Sequence, residues 1–350
     1  MRKLASNRNV VVAASLLALL VTLGVAQAVL ERTAAAQGQS AVQAPRFEVD
    51  PLWPKPLPNH WVLGQTIGVW VDTDDHIWIV HRGSSTLAEQ EKGIEMKTAE
   101  LCCAGAPPVL EFDQAGNLLR HWGGPVAGAP YEWPDGNHGI VIDYKGNVWI
   151  GGNGAPDSHI LKFTKDGKFL LQVGKKGARR QASAGAGNQE GQVAGFAGGS
   201  NDQLNFGRVA KIFVDAQENE AYLADGYLNK RIAVLDADTG VMKRYWGAYG
   251  NRPDDTPLPP YDPAATPAQQ FYNPVHCADM SVDRLVYVCD RVGDRLQVFR
   301  PDGTFVKEGF FAPNTKGSGA VWDIAFSKDA QQQYIFMADG MNDIVRIVDR

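Results

Sequence analysis

The sequence predicts an all-β propeller with four complete blades and a partial fifth, and three observations carry that reading. A short apolar strand, a polar turn and a second apolar strand recur five times along the chain. A second hairpin follows four of these pairs, giving four-stranded units at a roughly constant period, the signature of radially repeated sheets. No stretch shows the 3.6-residue periodicity of an amphipathic helix of three turns.

The elements follow in chain order. Arg2, Lys3 and Arg8 precede an apolar run over 10–25 and the small-x-small site Ala26-Gln27-Ala28. This reads as a secretory signal over 1–28, although the apolar run is long enough to keep an uncleaved anchor open. Ala- and Gln-rich residues 29–45 read as a disordered leader, and the propeller domain is assigned to 46–350. The five inner hairpins are "TIGVWVDTDDHIWIVHR" (66–82), "HGIVIDYKGNVWIGG" (138–152), "VAKIFVDAQENEAYLADG" (209–226), "HCADMSVDRLVYVCDR" (276–291) and "VWDIAFSKDAQQQYIFMADG" (321–340). The outer hairpins are "VLEFDQAGNLLRHWG" (109–123), "ILKFTKDGKFLLQVG" (160–174), "IAVLDADTGVMKRYWG" (232–247) and "LQVFRPDGTFVKEGFF" (296–311). Their Asp-Gly, Gly-Asn and Thr-Gly pairs suit the left-handed turn positions of hairpins. Three insertions stretch the repeat, at 83–107, 175–206 and 248–272. Loops on a rigid repeat scaffold often form a binding face, with plain surface decoration as the alternative. The fifth unit has three strands and the chain ends there, so the sequence reads as a six-bladed ring truncated at its C-terminus. Residues 46–53, "RFEVDPLW", have room to add one strand.

Composition narrows the function. Apolar residues make up 44% and charged residues 21%, with 37 Gly and 20 Pro, a turn-rich globular balance. The formal net charge is −5, and removing the signal's three cations takes it to −8, so nucleic acid is not an expected partner. The one basic cluster, "KKGARR" (175–180), is short enough to be a solvated loop. No run beyond the N-terminal one is long and apolar enough to span a membrane. Export would expose the four cysteines to an oxidising compartment. A hairpin register centred on Asp283 sets Cys277 opposite Cys289. Cys102 and Cys103 are adjacent and open to either a vicinal disulfide or free thiols. None has CxxC zinc spacing.

In a propeller the innermost strands line a central channel, and residues at their starts converge. His138 and His276 occupy the same place in two blades, directly before the inner strand. A lone histidine is more often structural, but this equivalence favours a shared metal such as zinc. His60, His76, His121 and His159 fall at turns or outer strands and read as solvated; the role of His81 stays open. At the ends of the second strands the chain reads "HRG", "ADG", "CDR" and "ADG". Arg82 and Arg291 would then face one site, suited to a carboxylate unless each pairs with a neighbouring aspartate. Tyr227 follows one such end and would serve as acid or base if a metal or arginine lowered its pKa.

The stretches "GVWVDTDDHIWIVHRG", "HGIVIDYKGNVWI", "ADGYLNKRI" and "VHCADMSVD…VYVCDR" resemble NHL-repeat propellers. More closely, they resemble peptidyl-α-hydroxyglycine α-amidating lyases and their bacterial relatives, over roughly 60–350. The resemblance implies a six-bladed propeller with a channel zinc and a nearby calcium. It implies zinc ligation by His138 and His276, a catalytic Tyr227, active-site Arg82 and Arg291, and calcium carbonyls at Val69 and Ile140. The third zinc histidine and an aspartate after it belong to a last blade with no counterpart here. Zinc binding by the chain as it stands is therefore expected to be weak or absent. The implied reaction cleaves the C–N bond of a carbinolamide, a small molecule or peptide C-terminus, to an amide and glyoxylate, in the periplasm or outside the cell. The alternative is a non-catalytic NHL propeller that binds a protein or small ligand. A lactonase or esterase on a calcium propeller would need carboxylates at the inner-strand starts, where histidines and small residues stand instead.

Overall fold

The computed structural model describes residues 22, 27, 44–179 and 199–350. The signal over 1–28 and the leader over 29–45 lie outside them but for residues 22, 27, 44 and 45, as does 180–198 of the second insertion. Among the described residues no helix is long and apolar enough to cross a membrane. The chain divides into two units at Asp50/Pro51. Residues 44–50 are exposed and form no strand, and the expected extra strand over 46–53 does not form. Prolines at 45, 51 and 54 remove the N–H groups such a strand would need.

The described residues of the second unit form twenty-one strands. The first sheet takes β2 (Thr66–Val71), β3 (Ile77–His81), β5 (Val109–Phe112) and β6 (Leu118–Trp122), while β1 (Trp61–Val62) pairs parallel with β4 (Ala104–Gly105). The second sheet is β7 (Asn137–Ile142), β8 (Asn147–Gly152), β9 (His159–Thr164) and β10 (Phe169–Gly174). The third runs β11 (Val209–Asp215), β12 (Glu220–Asp225), β13 (Arg231–Asp236) and β14 (Met242–Trp246). The fourth runs β15 (Val275–Met280), β16 (Val286–Asp290), β17 (Arg295–Phe299) and β18 (Phe305–Phe310). Three strands make the fifth: β19 (Asp323–Phe326), β20 (Tyr334–Asp339) and β21 (Ile344–Asp349). The chain is thus an all-β propeller with five blades, and within this unit's described residues the one α-helical segment is the single turn Gly93–Met96 of the first insertion.

The turns form for stated chemical reasons. In the stretch 138–150, Asp143 accepts the backbone N–H of Lys145 and Asn147 through Oδ1 and the Trp149 indole N–H through Oδ2. Gly146 closes the turn at φ 77°, where a Cβ would be strained. Asp72 holds the equivalent turn in blade 1, from His76 N–H and Trp78 Nε1. At the other end of the second strands, Asp225, Asp290 and Asp339 each hold an arginine of the third strand, at its first residue for Arg231 and Arg295 and its third for Arg346, all at 2.8 Å.

The cores lie between successive blades. Trp78 and Val80 of blade 1 meet Ile142 and Val148 of blade 2, Trp149 meets Ile212 and Leu223, Val234 meets Val288, and Tyr287 meets Ile324 and Ile335. The opposite face of blade 1 is covered by Trp53, Leu57, Trp61 and Leu63, which pack on Ile79, Leu110 and Phe112. Inner strands β2 and β19 both line a cavity of about 560 Å³. Cys277 and Cys289 pair in register as a cross-strand disulfide with Cα atoms 4.8 Å apart, and Cys102 lies at disulfide distance from Cys103. His159 corrects the sequence reading. It sits in β9 fully buried, with Nε2 on the Glu132 carbonyl, because the segment before β7 folds over it. His76 is half-buried against Glu111 at 2.8 Å, whereas His60 and His121 are exposed as expected.

Candidate functional site

The site begins with a backbone irregularity. Strand pairing slips between Thr66 and Gly68, between Asn137 and Ile140, between Val209 and Lys211, and between Val275 and Cys277. The inner strands of the first four blades therefore carry a bulge at their entrance, whereas β19 pairs with β20 in unbroken register, and bulges re-aim side chains. The residues placed there are Ile67, His138 with Gly139, Ala210 and His276. Histidine thus recurs in blades 2 and 4, and the bulge residue of the blade between is Ala210.

Each imidazole is fixed by the next blade. His138 Nδ1 donates to the Ala210 carbonyl and His276 Nδ1 to the Trp322 carbonyl, both at 2.6 Å. A carbonyl only accepts, so both rings carry their hydrogen on Nδ1 and present a lone pair at Nε2. Both Nε2 atoms face one oxygen, the Tyr227 hydroxyl, at 2.9 and 3.0 Å. The ring centroids of the two histidines are 5.1 Å apart. One hydroxyl proton satisfies one of these lone pairs. The other points at an oxygen with no second hydrogen to give, an arrangement that suits a cation. His81 shows the contrast: its Nδ1 accepts from Gly64 and Gly83 N–H while Nε2 donates to the Pro107 carbonyl, which makes it a structural residue.

The arginines frame this group. Arg82 donates to Asn153 Oδ1 at 2.8 Å, to Gln65 Oε1 at 3.2 Å and to the Asn137 carbonyl at 3.4 Å. The Arg291 guanidinium lies 5.7 Å from the Tyr227 ring centre and 4.7 Å from that of Trp322, and its Nε is buried without a partner. Among the described residues neither arginine forms an ion pair with an aspartate, so the expected alternative role does not apply. Burial pushes His138 down to about 4, with Arg82 and Arg291 adding to the effect against the Ala210 bond. Burial likewise holds His276 well below its ordinary value, so both rings are neutral near pH 7. Burial raises the Tyr227 hydroxyl, and this outweighs the opposing pull of Arg291, Asn153 and Arg82. The arginines alone therefore do not meet the condition set for Tyr227 as an acid or base, which leaves the metal.

Val69 and Ile140 each stand two residues beyond the bulge positions Ile67 and His138, in the neighbouring inner strands β2 and β7. Two residues were missed. Asn153 follows β8 just as Arg82 follows β3 and Arg291 follows β16, so position alone carried the signal. Trp322 precedes β19 where His276 opens β15, and an aromatic there reads as core.

The described residues fit a zinc. Two neutral imidazoles whose Nε2 lone pairs converge on one point are ligands that zinc accepts, one short of the three of a catalytic site. They fit calcium less well. Two carbonyls fall short of six to eight oxygens, and the channel carboxylates Asp279 and Asp323 already engage Lys211.

No family model matches the chain. A probable peptidyl-alpha-hydroxyglycine alpha-amidating lyase of Caenorhabditis elegans is 23% identical over 240 residues, covering 68% of this chain and 56% of that protein. The chain thus spans little more than half the length of this curated relative. Among solved structures, a virginiamycin B lyase from Staphylococcus aureus aligns at 14% identity and TM-score 0.41, over 84% of this chain and 72% of its own. A gluconolactonase from Xanthomonas campestris aligns at 13% and 0.45, over 79% and 69%.

Proposed function

We propose that the chain is an exported zinc-dependent lyase that cleaves the C–N bond of a carbinolamide of the peptidyl-α-hydroxyglycine type. The observation that supports it most is the pair of Nε2 lone pairs aimed at the single Tyr227 hydroxyl. The distant amidating-lyase relative agrees with a propeller enzyme of the lyase class. His138 and His276 would hold the zinc, which when bound supplies a Lewis acid for the substrate hydroxyl. In this reading histidines alternate on blades 2 and 4, and a sixth blade between blades 5 and 1 would supply a third. A calcium site would likewise need oxygens beyond Val69 and Ile140.

The chain's own residues account for the rest. Arg291, its Nε free and its plane against Trp322, would bind the substrate carboxylate with Arg82. Tyr227 would take the hydroxyl proton as it gives its own phenolic proton to the departing amide nitrogen. The O–H and C–N bonds break, a C=O and an N–H form, and the products are an amide and glyoxylate. The burial that keeps Tyr227 protonated in the free site suits the second of these transfers.

The test incubates the protein with an N-acyl-α-hydroxyglycine, with and without zinc, and measures glyoxylate. Zinc-dependent release lost in Tyr227→Phe supports the reading. Zinc binding without glyoxylate would instead favour a non-catalytic propeller that binds a small ligand or protein.

A further inference from the structure

Behind the two histidines the channel holds three charged side chains that the proposed reaction leaves unused. Lys211 of β11 donates to Asp323 Oδ1 of β19 at 2.6 Å and to the Ile324 carbonyl at 3.1 Å. Its ammonium lies 3.6 Å from Asp279 Oδ2 of β15. Lys211 and Asp279 are nearly buried, at 13% and 12% side-chain exposure. Three blades are therefore tied across the channel by one ammonium.

The place of this tie gives it meaning. Lys211 directly follows Ala210, whose carbonyl holds His138, and Asp323 directly follows Trp322, whose carbonyl holds His276. The two carbonyls that aim the imidazoles are each one residue from an end of the same ion pair. A buried ammonium costs several kcal/mol of desolvation, and apolar side chains of similar size would fill the space at less cost. A strand end displaced at Lys211 or Asp323 moves the neighbouring carbonyl and so turns a ring.

We infer that Lys211 and Asp323 form a cross-channel strut that fixes the spacing and aim of His138 and His276. They are positioning residues, since neither touches the tyrosine or the Nε2 atoms. The inference rests on reading the two histidines as one functional pair. Partners that orient metal-ligating histidines typically change metal affinity 10–100-fold when removed.

The experiment uses metal-free, ¹⁵N-labelled protein and reads hydrogen exchange of the two imidazole Nδ1–H groups, with zinc affinity measured separately by chelator competition. Wild type should show two protected Nδ1–H signals. Lys211→Met should speed their exchange at least about tenfold and weaken zinc by a similar factor, and Lys211→Arg should restore protection. If Lys211→Met fails to fold, Asp323→Asn decides, because it keeps the shape and removes the charge. Protection within twofold of wild type in folded Lys211→Met or, where that does not fold, in Asp323→Asn overturns the inference. Should wild type bind no zinc, the lyase reading suffers, but the exchange measurement still decides on the strut.

Discussion

At the scale of single residues, the site rests on which nitrogen of each imidazole carries the hydrogen. Ala210 and Trp322 fix both on Nδ1, leaving Tyr227 between two acceptors. Tyr227→Phe removes the proton-transfer group while keeping the ring packed between the histidines. It should lower carbinolamide turnover by about 10²–10⁴ with an unchanged melting temperature, checked by glyoxylate release and calorimetry. Much of this site was legible in the sequence because a propeller turns equivalent positions into convergent ones. His138, His276, Tyr227, Arg82 and Arg291 come together because each stands at an inner-strand start or a second-strand end. Asn153 satisfies the same positional rule, but an amide attracts less notice than a guanidinium. His159 misled because its outer-strand position implied solvent, and the segment that buries it is not local in sequence.

At the scale of the element, the inner strand is a bulge held tightly against its neighbour. A Cβ on Gly139 would sit 2.6 Å from the Ala210 carbonyl, the acceptor for His138. Gly139→Ala should therefore destabilise by about 1–3 kcal/mol and loosen His138 together, read by denaturant titration and by exchange of its Nδ1–H. Blade 3 offers a pH prediction. Burial of Glu220 favours its neutral form, but hydrogen bonds from Arg244 and Lys243 win and hold it near 2 against an ordinary 4.5. A carboxylate lowered on folding stabilises above the unfolded value, and that contribution fades as pH falls from about 4.5 towards 2. Glu220→Gln should cost about 2 kcal/mol at pH 7, with the gap to wild type closing over that window in urea melts. In blade 4 the hairpin is closed by Cys277 and Cys289. Replacing both with alanine should cost about 2–4 kcal/mol, seen as a lower melting temperature under non-reducing conditions. The sequence carried this pairing plainly, through a register centred on one turn.

At the scale of the whole molecule, cores between successive blades make stability a sum of neighbouring contacts. The candidate site draws on every blade: Arg82 from the first, His138 and Asn153 from the second, Tyr227 from the third, His276 and Arg291 from the fourth, and Trp322 before the fifth. Hairpin repeats made the blades readable from sequence, whereas the segment that covers blade 1, with Trp53, Leu57, Trp61 and Leu63, follows no repeat and carried no such signal. The central claim is that blades 2 and 4 aim two imidazoles at one cation. Zinc titration of the metal-free protein, with His138→Ala and His276→Ala run beside wild type, tests it most directly. The account predicts a single saturable zinc per chain, weak with two histidines, and abolished by either substitution. Binding that survives both substitutions, or no zinc binding by wild type at any concentration that keeps it folded, would contradict it.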